Sequence, residues 1–215
     1  MSRCVLFDID MTLIDSKKIH VDCFKRAFKK TFGIEGSRDE IPEHFGLTYY
    51  EMIKRLCEKK NIRFEYVMLL EFIDNLAYEI ENYEDGIKLL PGVPEILEKL
   101  RENNVTLIIF TGNPAVIGRV LLEKAGLIDY FSDFIFSDLE DTKIKELKDH
   151  LFLLKNFEKC YVIGDSKQDI IAAKEVGFYS IAVKTGFYKD FSDVSPDLVV
   201  DDLESGMKRI LNFIK

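Results

Sequence analysis

The chain has 215 residues, enough for one domain with a large insertion or two small ones, and 47% hydrophobic residues suffice for a packed core. Its formal net charge is -8, with 38 acidic and 30 basic residues and no basic stripe, which argues against a nucleic-acid or anionic-membrane partner. No apolar stretch approaches the roughly 20 residues a membrane helix needs, and the scattered Cys4, Cys23, Cys57 and Cys160 suggest a reducing cytoplasm rather than a disulfide framework.

In chain order, the first predicted strand covers residues 4–7, an apolar run ending at Asp8 and Asp10. From about Ser16 to Ile87 no strand pattern appears. Ser16 can cap a helix to Phe32, with Ile19, Cys23 and Ala27 on one face. Thr48-Tyr49-Tyr50-Glu51 reads as a capping box that opens a second helix, and residues 64–83 form a third. Leu90-Pro91-Gly92-Val93 marks a return to another texture. Strands are then expected over 105–110, 134–136, 160–163, 179–183 and 198–200. Helices are expected over 93–103, 114–125, 143–156, 166–176 and 203–214. Pro114 suits a helix start, and Gly126 and Gly177 suit the residue just past a helix end. The strands are short and almost wholly apolar, as when both faces of a parallel sheet are covered. Alternating strand and helix predicts an α/β fold with a doubly wound parallel sheet.

The chemistry-bearing residues cluster at strand ends. Two carboxylates one residue apart, Asp8 and Asp10, would point to opposite faces of a straight strand, so the chain must bend there to bring both into one site. Acids at the carboxyl ends of buried strands sit where open α/β sheets hold their ligands. Thr111-Gly112-Asn113 closes another apolar strand just before a helix, where free amides and the helix dipole favour an anion. Val162-Ile163-Gly164-Asp165 delivers a further acid, and Asp169 follows one helical turn later. Hard oxygen ligands at this spacing suit Mg²⁺. An acidic protein that binds a phosphate needs local positive charge, and Lys143 opens the helix that follows the third strand, with Lys145 and Lys148 as alternatives. His20, His44 and His150 share no metal-ligand spacing and read as surface residues of helices or loops.

These four pieces, in this order, resemble the four motifs of the haloacid dehalogenase-like superfamily, in the phosphoglycolate phosphatase and β-phosphoglucomutase branch. The resemblance implies a core domain of residues 1–15 and 88–215 and a small helical cap domain of 16–87. It implies a magnesium-dependent phosphatase acting on a small phosphorylated metabolite. Asp8 would be the nucleophile that becomes an aspartyl-phosphate, and Asp10 the general acid. Two acids flanking one metal cannot both ionise cheaply, so one pKa is expected to rise. By the same resemblance Thr111, Gly112, Asn113 and Lys143 would hold the phosphate. Mg²⁺ would be held by Asp8, Asp165 and the Asp10 carbonyl, with Asp169 acting through water or by orienting the lysine. The family usually carries glycine between Asp10 and Thr12, where this chain has Met11, and Lys-Pro where it has Lys143-Ile144. Phe45-Gly46-Leu47-Thr48 resembles the cap's substrate-specificity segment. Dehalogenases of the superfamily lack the second acid of the first motif, so Asp10 argues against that reaction. Intact Asp8, Asp10, Asp165 and Asp169 argue against a purely regulatory protein. A phosphomutase remains the alternative.

Overall fold

The computed structural model describes residues 2–35 and 47–215. Its centre is a six-stranded, all-parallel sheet: β1 (Arg3–Phe7), β2 (Val105–Thr111), β3 (Asp133–Phe136), β4 (Lys159–Gly164), β5 (Tyr179–Val183) and β6 (Leu198–Val200). The spatial order is β3-β2-β1-β4-β5-β6. β1 lies between β2 and β4, with Phe7 opposite Ile109 on one side and Ile163 on the other. The crossover direction reverses between β1 and β4, and a crevice opens there beyond the carboxyl ends of the strands.

Strand alternation explains the unbroken apolar runs. Val5 and Phe7 pack into one layer of core, and Cys4 and Leu6 into the opposite one, all with no exposed surface. The flanking helices are α4 (Val93–Glu102), α5 (Ala115–Lys124), α6 (Lys143–Asp149), α7 (Leu151–Leu154), α8 (Lys167–Glu175) and α9 (Leu203–Phe213). The helix expected over 143–156 is therefore two pieces. His150 leaves helical geometry at φ -100° and ψ 8°, and its Nδ1 lies 2.8 Å from the Glu146 carbonyl, an acceptor at the end of the α6 ladder.

Between β1 and α4 the described residues form three helices, α1 (Lys17–Phe32), α2 (Tyr49–Lys59) and α3 (Tyr66–Glu81). α1 and α3 pack through Phe24, Phe28 and Phe72, the first and last meeting edge-on at 4.9 Å between ring centres. The capping box at Thr48 and Glu51 forms as expected. The two connections to this helical layer run side by side. Asp15 N donates to Lys88 O, and Leu90 N to Leu13 O, each at 2.9 Å. Among the described residues no helix is long and apolar enough to cross a membrane. Phe45 and Gly46 of the expected specificity segment, and His44, lie outside the described residues.

Candidate active site

The bend required after β1 is a tight turn. The Ile9 carbonyl accepts from Leu13 N at 2.9 Å and from Ile14 N at 3.1 Å, and Met11 N donates to Ile14 O at 2.8 Å. Met11 takes a left-handed backbone with φ 55°, where glycine is the usual residue. Its side chain is nevertheless buried. The Thr185 hydroxyl donates to the Met11 carbonyl and pins the turn to the loop beyond β5.

Asp8 follows β1 and Asp165 follows β4, and Asp8 N still pairs with Ile163 O at 3.0 Å. Carboxylate oxygens of Asp8, Asp165 and Asp169 lie within 4.8 Å of one another, all three buried. Lys143, the first residue of α6, reaches in with Nζ 2.8 Å from Asp8 Oδ1 and 2.6 Å from Asp169 Oδ1. The alternatives do not reach it. Lys145 is exposed and pairs with Asp141 and Asp149, and Lys148 pairs with Glu175. Asp169 is fixed from its other oxygen, which accepts from Ser166 N at 3.1 Å and Ser166 Oγ at 2.6 Å in a capping box at the start of α8. Thr111 Oγ1 accepts from Asn113 N at 3.3 Å and Asn113 Nδ2 at 3.2 Å, so its own hydrogen is free to donate toward the cleft.

Two glycines let these acids pack. A Cβ on Gly164 would lie 2.2 Å from Asp169 Cγ, and one on Gly186 would lie 1.7 Å from Asp165 Oδ2.

The Asp10 carboxylate sits apart from the other three acids. His20 Nε2 donates to its Oδ1 and Asn113 Nδ2 to its Oδ2, both at 2.5 Å. His20 is thus no surface residue. It lies one turn beyond Ser16 on α1, facing the cleft, with its side chain 13% exposed. Ser16 also differs from expectation: it precedes α1 without a side-chain cap, and its hydroxyl bonds to Asp10 instead. Tyr49, the first residue of α2, donates from Oη to Asn113 Oδ1 at 3.0 Å. That contact sets the amide's orientation, because only its NH₂ end can face a carboxylate. Next to it, Tyr50 N donates to Leu139 O at 2.9 Å. His20 and Tyr49 escaped sequence reasoning, although His20 lies in the first turn of α1 and Tyr49 opens α2 directly after its cap.

Electrostatics separate the acids. Burial pushes the Asp8 carboxyl up to about 7; Lys143 pulls against that, and Asp169 and Asp10 add to it. Burial, then Asp8 and Asp169, raise Asp165 to about 9. Burial would raise Asp10 as well, but the His20 charge and hydrogen bond outweigh it, and Ser16 and Asn113 help bring it down to about 2. The expected rise therefore falls on Asp8 and Asp165, and Asp10 is held as a carboxylate. Burial opposes the His20 imidazolium, yet the Asp10 charge and hydrogen bond raise its pKa. Buried acids crowded together in this way, Asp8, Asp165 and Asp169, could hold a hard divalent cation through oxygen ligands.

Residues 5–183 match the family model for haloacid dehalogenase-like hydrolases. The chain belongs to that family. Phosphoglycolate phosphatase 1 of Pseudomonas aeruginosa is 28% identical over 216 residues, covering 94% of this chain and 78% of that one. Pyrophosphatase PpaX of Oceanobacillus iheyensis is 25% identical over 211 residues, covering 94% of each. A hydrolase structure from Pseudomonas syringae shares the fold with a TM-score of 0.79 at 20% identity over 99% of both chains. Within this family the cluster at the ends of β1 and β4 is the candidate catalytic centre.

Proposed function

We propose that this chain is a magnesium-dependent phosphatase that releases inorganic phosphate from a small phosphorylated metabolite. One observation carries the reading: Asp8 and Asp165 stand side by side at the ends of adjacent central strands, with Lys143 Nζ 2.8 Å from Asp8. Asp8 Oδ attacks phosphorus while the bond from phosphorus to the leaving oxygen breaks. That oxygen takes a proton held on the Asp10–His20 pair, where His20 Nε2 lies 2.5 Å from the carboxylate. Water then attacks the aspartyl-phosphate, returns a proton to Asp10, and frees Asp8 and inorganic phosphate. Lys143 offsets the charge of the transferring group, and Thr111, Gly112 and Asn113 cradle its oxygens. Asp8, Asp165 and the Asp10 main-chain carbonyl would hold Mg²⁺, while Asp169 orients Lys143. When bound, the ion neutralises the carboxylates and the phosphoryl oxygens.

Residues 16–87 act as a cap domain over a core of 1–15 and 88–215. The paired connections at Leu13–Asp15 and Lys88–Leu90 are its hinge. Four free, buried cysteines suit a cytoplasmic enzyme. Relatives named for phosphate release favour hydrolysis over the phosphomutase alternative. Asp8→Asn is expected to abolish magnesium-dependent hydrolysis of p-nitrophenyl phosphate. Full activity in that variant overturns the assignment of the nucleophile.

A further inference from the structure

Cys4 and Cys160 are neighbours across the central sheet. Cys4 lies on β1 and Cys160 on β4, and the register sets them directly opposite one another. Both side chains enter the same layer of core, beside Leu6 and Val162. The two thiols are close enough to share a hydrogen bond. Cys23 and Cys57, the remaining two of the four cysteines, lie apart from them on α1 and α2.

Adjacent strands run roughly 4.8 Å apart, inside the range of Cα separations that a disulfide spans. The Cβ atoms of such a pair stand at about the same spacing, a few tenths of an ångström beyond the roughly 4.5 Å a disulfide allows. A bond here must draw the strands slightly together. It carries strain, and strain makes it easier to reduce than a structural disulfide.

The sulfurs differ in reactivity. Cys4 has no exposed surface and Cys160 is 6% exposed, so a small oxidant meets Cys160 first. The hydrogen bond from Cys4 also lowers the Cys160 thiol, against burial, whereas that bond and burial push Cys4 up. Burial pushes Cys23 and Cys57 up to about 11 each, and neither has exposed surface. The thiolate is the reactive form, so reactivity concentrates on Cys160.

We propose that Cys4 and Cys160 form a peroxide-sensitive thiol pair that closes to a reversible disulfide between β1 and β4. The Cys160 thiolate attacks one oxygen of hydrogen peroxide and the O–O bond breaks. Cys160 becomes a sulfenic acid, and the departing hydroxide takes up the proton that Cys160 had released. The Cys4 sulfur then attacks the Cys160 sulfur, the S–O bond breaks, and the hydroxyl leaves as water with the Cys4 proton. Two thiols are oxidised and one peroxide is reduced to two waters. The bond ties together the strands that lead to Asp8 and Asp165, and it stands independently of the phosphatase reading.

The test treats the reduced full chain with hydrogen peroxide, counts thiols in denaturant, and maps linked peptides by mass spectrometry without reduction. The count is expected to fall from four to two through a Cys4–Cys160 linkage, and excess glutathione should restore it. In Cys4→Ala no second sulfur is at hand, so Cys160 should stop at the sulfenic acid and take up dimedone, which the wild type should not retain. A count that stays at four, a linkage through Cys23 or Cys57, or a Cys160 that gains oxygen without bonding to Cys4 in the wild type overturns the proposal. So does a bond that glutathione leaves intact. The wild-type measurements decide the matter even if Cys4→Ala fails to fold.

Discussion

Gly186→Ala isolates the position of one carboxylate. Gly186 does not adopt a positive φ, so alanine meets no backbone penalty there. The added Cβ would lie 1.7 Å from Asp165 Oδ2 and 2.6 Å from its Cγ. Non-bonded Cβ contacts do not fall below 3.0 Å, so the oxygen must retreat by at least 1.3 Å (3.0 minus 1.7). Asp165 can retreat cheaply, because the clash is with the carboxylate end of a side chain rather than with backbone. The fold should therefore lose less than the 1–3 kcal/mol usual for overpacking, and Tm should fall by no more than roughly 2–4 °C. Metal binding is far less tolerant, since ligand distances hold to about 0.2 Å. The Mg²⁺ concentration for half-maximal hydrolysis of p-nitrophenyl phosphate should rise at least about ten- to a hundredfold. A Mg²⁺ titration with a parallel thermal melt checks both quantities. Wild-type Mg²⁺ half-saturation in Gly186→Ala would refute the placement of Asp165 as a ligand.

Gly164→Ala should behave differently, because Asp169 is fully buried and held by Ser166 and Lys143: about 1–3 kcal/mol of stability is lost, read by denaturant unfolding. Lys143→Met should lower kcat by about 10²–10³-fold, whereas Lys145→Met should leave turnover at the wild-type level; steady-state kinetics separates them. Tyr49→Phe removes one neutral hydrogen bond of about 0.5–1.5 kcal/mol, so kcat should fall roughly two- to tenfold with little change in KM. In EDTA the raised pKa values of Asp8 and Asp165 mean that the folded state binds more protons than the unfolded state. Stability should thus decline as pH climbs from 3.8 through about 7 and on to about 9, and saturating Mg²⁺ should flatten that slope in melts across the range. A slope of the opposite sign rules out the repulsive cluster.

The central strands were legible because they are buried on both faces, which leaves a short unbroken apolar run such as Cys4 to Phe7. Asp8, Asp165 and Lys143 were legible because strand ends and helix starts are marked locally. Contacts across the chain were not. Nothing near His20 announces Asp10 as its partner, since the first turn of an amphipathic helix looks the same whether it faces solvent or a cleft. Tyr49 meets Asn113 across 64 positions, which no periodicity records. Which acid's pKa rises was not legible for the same reason: repulsion among acids can be counted from a sequence, but three donors converging on the Asp10 carboxylate cannot. The break at His150, where the side chain also meets the Glu146 carbonyl, leaves no trace in the hydrophobic pattern.

The partners of Asp10 come from both layers of the molecule: His20 belongs to the helical layer, and Asn113 belongs to the sheet layer but is steadied by Tyr49. The two layers are therefore not interchangeable modules. Replacing the helices between β1 and α4 with foreign ones would strip Asp10 of its His20 partner and let the Asn113 amide swing. A lineage that shifts to a new ester is constrained to repaint Leu47 and Met52, which line the same cleft, while leaving His20 and Tyr49 in place.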